Sequence, residues 1–168
     1  MAEPAALVGE MSKQEIELTA YCGLYCGDCI RYRSKAADLA RALLDELQGE
    51  EWDKYAEFKS GSTKQFDAVK QFEHYRECCE VLEAIIAVQC NNPCRVGGGC
   101  PTFSCKILDC CRKKGFEGCW QCDEFENCRE FEFLKPLHGD TPVLNLRKIR
   151  ELGLEKWTEH RYKCYVWQ

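Results

Sequence analysis

The residues of this sequence best equipped for chemistry are its cysteines. In YCGLYCGDC (residues 21–29), Cys22, Cys26 and Cys29 stand at C-x3-C-x2-C spacing. Gly23 and Gly27 lie between them, and glycine lets the backbone turn tightly enough for several sulfurs to converge on one ion. A four-coordinate site built on this triplet is one ligand short, so the fourth must come from further along the chain. Downstream, Cys119-Trp-Gln-Cys122 makes a C-x2-C knuckle, with Cys110 before it and Cys128 after it. These four form a credible tetrathiolate set, because Zn–S bonds of ~2.3 Å close a tetrahedron readily across such a turn. Cys90, Cys94, Cys100 and Cys105 lie between the two groups. Cys94 or Cys100 is the expected fourth ligand of the first site, and a third site built from the remainder stays open. Cys78, Cys79, Cys111 and Cys164 are read as structural, since free cysteine is commonly buried. Cys79 falls on an apolar stripe with Cys78 beside it, Cys111 points away from Cys110 if both are helical, and Cys164 has no near partner.

Other chemistries find less support. The triplet spacing also holds the [4Fe–4S] cluster of radical S-adenosylmethionine enzymes, but those require a long barrel of alternating strands and helices. Nothing downstream alternates in that way, and Asp28 stands where an aromatic residue is expected. A thiol redox role for Cys119 and Cys122 lacks the βαβ unit that such motifs open. His74, His138 and His160 are scattered, with no nucleophile–base spacing, and RVGGGCP (residues 95–101) lacks the lysine and following helix of a phosphate cradle. No catalytic constellation emerges, so a non-enzymatic protein is expected.

Composition points the same way. Fifteen of 168 residues are cysteine, an odd count with several members two or three residues apart, which suggests ligands more than bridges. The first twenty residues show no secretory pattern, and no apolar run approaches the roughly 20 residues that span a bilayer. A reduced, cytoplasmic protein is the expectation. The formal charge is −5 before any thiolate is counted. Nucleic-acid binding is therefore not expected, and RKK (residues 112–114) and RKIR (residues 147–150) read as solvated helix faces.

The elements that must position the cysteines read as mainly α, with little or no sheet: a small, irregular, metal-stapled domain with Cys-rich loops. Residues 1–19 are expected to be a flexible N-terminus apart from a short strand over 16–20, and residues 20–168 one domain. Its helical part spans about 34–89. Ser34 caps a first helix with apolar positions Ala36, Leu39, Leu43 and Leu47, ended by Gly49. Trp52, Tyr55 and Phe58 mark a second, closed by Gly61. Ser62 and Gln65 resemble a capping box before a long helix whose face carries Phe66, Val69, Phe72, Tyr75, Cys79, Leu82 and Ile86. The metal-rich loop part, about 90–134, holds nine cysteines between Cys90 and Cys128 and too few apolar residues to build a core of its own. Short helices over 106–114 and 124–134 are predicted within it. C-terminal helices follow over about 142–162, the first capped by Thr141 with Pro142 at N1 and the last carrying Trp157.

Taken together, YCGLYCGDC, CNNPCRVGGGCPTFSC, CKILDCCRKKGFEGCWQCDEFENC and NLRKIRELGLEKW resemble the signature of a family of small cysteine-rich bacterial and archaeal proteins known only as a domain of unknown function. The resemblance spans about residues 20–164 and implies metal binding without an assigned reaction. Carried over, it implies Cys22, Cys26, Cys29, Cys94, Cys105, Cys110, Cys119, Cys122 and Cys128 as ligands. Three residues separate Cys90 from Cys94 where two are expected, Asn127 replaces a proline before Cys128, and Cys164 alone remains of a further C-x2-C ribbon. The expected function is a metal-binding module with two Cys-only sites, carrying Zn²⁺ and serving as an adaptor for another protein. The alternative is an iron–sulfur electron-transfer or accessory protein with [4Fe–4S] clusters, which all-cysteine ligation suits equally.

Overall fold

A computed structural model describes residues 13–61, 67–99 and 104–168. Cys100, the Ser62–Gln65 capping box, Phe66, the Val69 side chain and most of the N-terminal segment lie outside the described residues. The described chain is mainly helical and without strands, as expected, with α1 at Lys13–Leu18, α2 at Lys35–Gly49, α3 at Trp52–Gly61, α4 at Tyr75–Ala87, α5 at Lys106–Lys114, α6 at Lys135–His138 and α7 at Thr141–Leu152. Among the described residues no helix is long and apolar enough to cross a membrane. The chain divides into two compact units, Arg33–Cys90 and Met1–Tyr32 with Asn91–Gln168.

The Arg33–Cys90 unit is built from α2, α3 and α4. Ser34 caps α2, its hydroxyl accepting from Ala37 N at 3.4 Å. Two apolar stripes run along α2 one residue apart, and the one that packs on α4 is Ala37, Ala40 and Leu44. The expected stripe faces outward, with Leu39 60% exposed, because two alanines let the helices approach more closely than leucines would. Gln89 joins the two ends of the unit, donating to Ser34 O at 3.2 Å and Asp38 Oδ1 at 2.8 Å. On α3, Trp52 and Tyr55 cluster with Phe72, ring centroids 5.3–6.1 Å apart, while Phe58 is 71% exposed.

The single long helix expected from Phe66 is instead a 3₁₀ stretch, Asp67–His74, followed by α4. The spacing explains the break. Val69, Phe72 and Tyr75 recur every three residues, the 3₁₀ period, whereas Tyr75, Cys79, Leu82 and Ile86 recur at fours and threes, the α period. Phe72 and those four are the half-buried residues of this face, with Cys78 exposed beside them.

In the other unit, the strand expected over 16–20 is replaced by the end of α1 and one isolated bridge, Thr19 to Tyr25. Thr19 continues the helical turn, N–H to Ile16 O at 3.1 Å and hydroxyl to Glu15 O at 3.2 Å. The helix predicted over 106–114 is α5. That over 124–134 is two 3₁₀ turns, Phe125–Asn127 and Arg129–Leu134, and the last helix is a 3₁₀ turn at Trp157–His160. Thr141 does not cap α7: Asp140 holds that position, and the Thr141 hydroxyl donates to Lys163 O at 3.0 Å. The core joins Ile107, Cys111, Cys119, Trp120, Phe125, Phe131, Leu146, Ile149 and Trp157. Thiols are thus part of the core rather than an appendage to it.

Candidate metal centre

The triplet loop is seated on α7 through Gly23. Its φ is +86°, and a Cβ there would lie 2.8 Å from both Leu146 Cγ and Pro142 O, so no other residue fits without displacing the helix. This fixes Cys22 inside the unit. Burial pushes its thiol well up, opposed by a bond from the Leu24 N–H and reinforced by the neighbouring thiols of Cys94, Cys105 and Cys26. Cys94 is raised for the same reason, while the Tyr21 N–H and the Arg95 guanidinium pull it down. Cys22, Cys26, Cys94 and Cys105 are therefore one electrostatic group, in which ionised sulfurs need a compensating cation.

The second group lines a cleft of about 500 Å³ whose wall includes Cys110, Cys111, Cys119, Cys122 and Cys128. Helix α5 turns Ile107 and Cys111 inward at i, i+4, and Gly115 in the left-handed conformation ends it. The chain then doubles back, Phe116 N–H to Cys111 O at 2.9 Å, and brings Cys119 to Cys111 with 3.5 Å between the sulfurs. That distance is close to the ~3.8 Å edge of a tetrahedron with metal–sulfur bonds of ~2.3 Å. The hydrogen bond between the two sulfurs lowers the Cys111 thiol and, together with burial, strongly raises that of Cys119. Cys119 N–H also bonds Tyr21 O at 2.9 Å, joining the knuckle to the triplet loop. At Gly118 a Cβ would strike the Trp120 ring at 2.0 Å, so the knuckle demands glycine there.

Three arginines do more than face solvent. Arg150, on α7, holds the knuckle by donating to Trp120 O at 2.5 Å and Cys122 O at 2.8 Å, and Arg147 pairs with Glu126 at 2.6 Å. Both arginines remain exposed on the helix, in keeping with the sequence reading of this stretch as a solvated face. Arg95, in the glycine-rich segment, is sandwiched between the Tyr21 and Trp120 rings at 4.8 and 5.0 Å and donates through Nε to Thr19 O. Its Nη2 is buried with no hydrogen-bond partner among the described residues. A guanidinium so placed beside Cys94 and Cys111 suits an anionic neighbour, and four thiolates on one divalent ion carry a net −2. The donor set and the orphaned cation both fit a thiolate-bound metal.

The remaining cysteines divide. Cys29 meets the C-terminal segment, its sulfur 3.2 Å from Tyr165 Oη. Cys90 belongs to the Arg33–Cys90 unit, where its carbonyl accepts from Arg33 N at 2.8 Å. Cys111 and Cys164, set aside as structural from spacing alone, are both buried beside other thiols, Cys164 next to Cys29. The signal that could have found Cys111 is its place four residues after Ile107 on the apolar face of α5. Among the described residues, no three His, Cys, Asp or Glu side chains already converge as a metal-holding set.

No curated protein and no solved structure matches the chain. One family matches over residues 18–133, a span that takes in the triplet loop, the Gly-rich segment and the knuckle, and that ends before α6. The chain belongs to that family, described as protein of unknown function (DUF3795).

Proposed function

We propose that this protein is a metal-binding module in which two thiolate sites hold Zn²⁺ and complete the fold of the Cys-rich unit. The first would draw on Cys22, Cys26, Cys94 and Cys105, with Cys100 a further candidate. The second would draw four ligands from the five cysteines of the cleft. The observation that carries this reading is Arg95, a half-buried cation between two aromatic rings whose buried Nη2 has no partner among the described residues, beside thiols from both groups. Closed tetrathiolate zinc supplies folding energy and no open position for a substrate, which fits the absence of a catalytic constellation in the sequence. The module would then work by docking another protein. Exposed Leu39 and Phe58 on the Arg33–Cys90 unit support that role.

A second reading, [4Fe–4S] clusters in an electron-transfer protein, is favoured by one observation: a cleft of about 500 Å³ has more room than a single ion needs. Cys119→Ser and Cys22→Ser test metal binding under either reading. Each variant is expected to lose about one metal equivalent per chain and, because binding energy is folding energy here, to melt earlier. Unchanged metal content and melting in both would end the proposal.

A further inference from the structure

Two sulfurs of the cleft already touch. Those of Cys111 and Cys119 lie 3.5 Å apart, and both residues belong to the core. The contact is built by backbone on each side. Cys111 rides on the inward face of α5, and its carbonyl accepts from Phe116 N–H at 2.9 Å once the chain has reversed at Gly115. Cys119 opens the knuckle and is held by its own N–H to Tyr21 O at 2.9 Å. A disulfide holds its sulfurs ~2.05 Å apart, so the pair needs an approach of about 1.5 Å shared between two side chains. The bond would close only the short loop of residues 111–119 and would tie α5 to the knuckle.

Access decides which oxidant suits such a pair. Cys111 is 2% and Cys119 9% exposed, which shields them from thiols and disulfides carried by another protein. Both nevertheless line the cleft of about 500 Å³, and hydrogen peroxide is small enough to enter it. Lys114 stands on the same wall, its ammonium 4.0 Å from the Cys122 sulfur. A cation so placed favours thiolate over thiol, and the thiolate is the form that peroxide attacks. Cys78, exposed on α4, has neither the cleft nor the partner sulfur at contact distance across a turn, and it serves as the comparison.

We propose that Cys111 and Cys119 are a modification site, a dithiol that hydrogen peroxide converts to a disulfide. One sulfur attacks a peroxide oxygen and the O–O bond breaks. The departing hydroxide takes the proton of that thiol, leaving a sulfenic acid and one water. The second sulfur then attacks the sulfenic sulfur, the S–O bond breaks, and the second thiol proton leaves with the hydroxide as another water. Two thiols give up two electrons in all, and one peroxide becomes two waters. The disulfide itself requires no metal. Its consequence does rest on the zinc reading: the bond withdraws two of the five cleft thiols and leaves Cys110, Cys122 and Cys128, one ligand short of a closed tetrathiolate, so the ion is released.

The test treats wild-type protein, purified without oxygen, with a small excess of hydrogen peroxide. Remaining thiols are alkylated, the chain is digested without reductant, and zinc release is followed with a chromogenic chelator. Cys110 and Cys111 share one tryptic peptide and Cys119, Cys122 and Cys128 another, so fragment ions assign the bond. The expected result is an intact mass lowered by two hydrogens, a Cys111–Cys119 crosslink reversed by a dithiol reductant, and release of about one zinc per chain. The mapping uses the wild type and so does not depend on a core variant folding; Cys110→Ser should keep the crosslink and Cys111→Ser lose it. The same crosslink in protein that holds no zinc supports the redox pair and removes the metal reading. Oxidation confined to Cys78, or a bond between any other two cleft cysteines, overturns the pair, and zinc-bound protein with that outcome leaves the metal reading standing.

Discussion

Arg95 is the residue on which the chemistry of the thiol-rich unit turns. Its guanidinium lies half-buried between Tyr21 and Trp120, with Nη2 buried and unpartnered among the described residues, and a neighbouring anion would offset that desolvation. Arg95→Met keeps the bulk and removes the charge. It is expected to weaken metal retention about 10- to 100-fold, the usual scale for an outer-shell partner, as measured by competition with a chelator. Equal retention would show that the guanidinium serves packing alone. Gly23 makes a complementary point about shape. Gly23→Ala must adopt a left-handed backbone and push against Leu146, and a loss of roughly 1–3 kcal/mol in chemical denaturation is expected. At this scale the sequence was legible wherever spacing was local: C-x2-C and C-x3-C turns show themselves in any register. It was not legible where long-range packing decides. Cys111 was read as structural from helix geometry, and α5 does bury it in the core, but the spacing did not show that it would also line the cleft beside Cys110. Arg95 lay in a stretch judged only by the phosphate cradle it failed to make.

At the scale of elements, periodicity was informative and its exact phase was not. The apolar face of α4 was readable from Tyr75, Cys79, Leu82 and Ile86, and α3 and α5 have their expected ends. On α2 two stripes competed, and only contact with α4 chose the alanine-rich one. The pH behaviour of the helical unit belongs at this scale. Burial, and then a hydrogen bond to Cys79, pushes the Tyr75 phenol up to about 12 from its ordinary 10. A raised pKa means that the folded state prefers the neutral phenol. The associated stability is therefore fully present below about pH 10 and is lost as pH rises through about 12. Tyr75→Phe should flatten the alkaline limb of a stability–pH curve between those values, and an unchanged limb would place the loss elsewhere.

At the scale of the whole molecule, the two compact units differ in what holds them together. The Arg33–Cys90 unit closes with alanines, aromatic rings and the Gln89 bridge. The other draws several of its core positions from cysteine, and its loops are short 3₁₀ turns pinned by Arg150 and Arg161. A core that spends its positions on thiols gains less from burial than one of leucines, and metal–sulfur bonds are the natural compensation. The sequence reading set a helical part at about 34–89 apart from the Cys-rich stretch after it, but the spacing could not show that the thiol-rich unit is assembled from two separate stretches of chain. The claim that matters most is that those thiols hold zinc. Protein purified without oxygen, with zinc and iron counted by mass spectrometry beside its visible spectrum, tests it directly. A colourless sample with about two zinc ions per chain is the expected result. A well-folded sample containing neither metal would contradict the account.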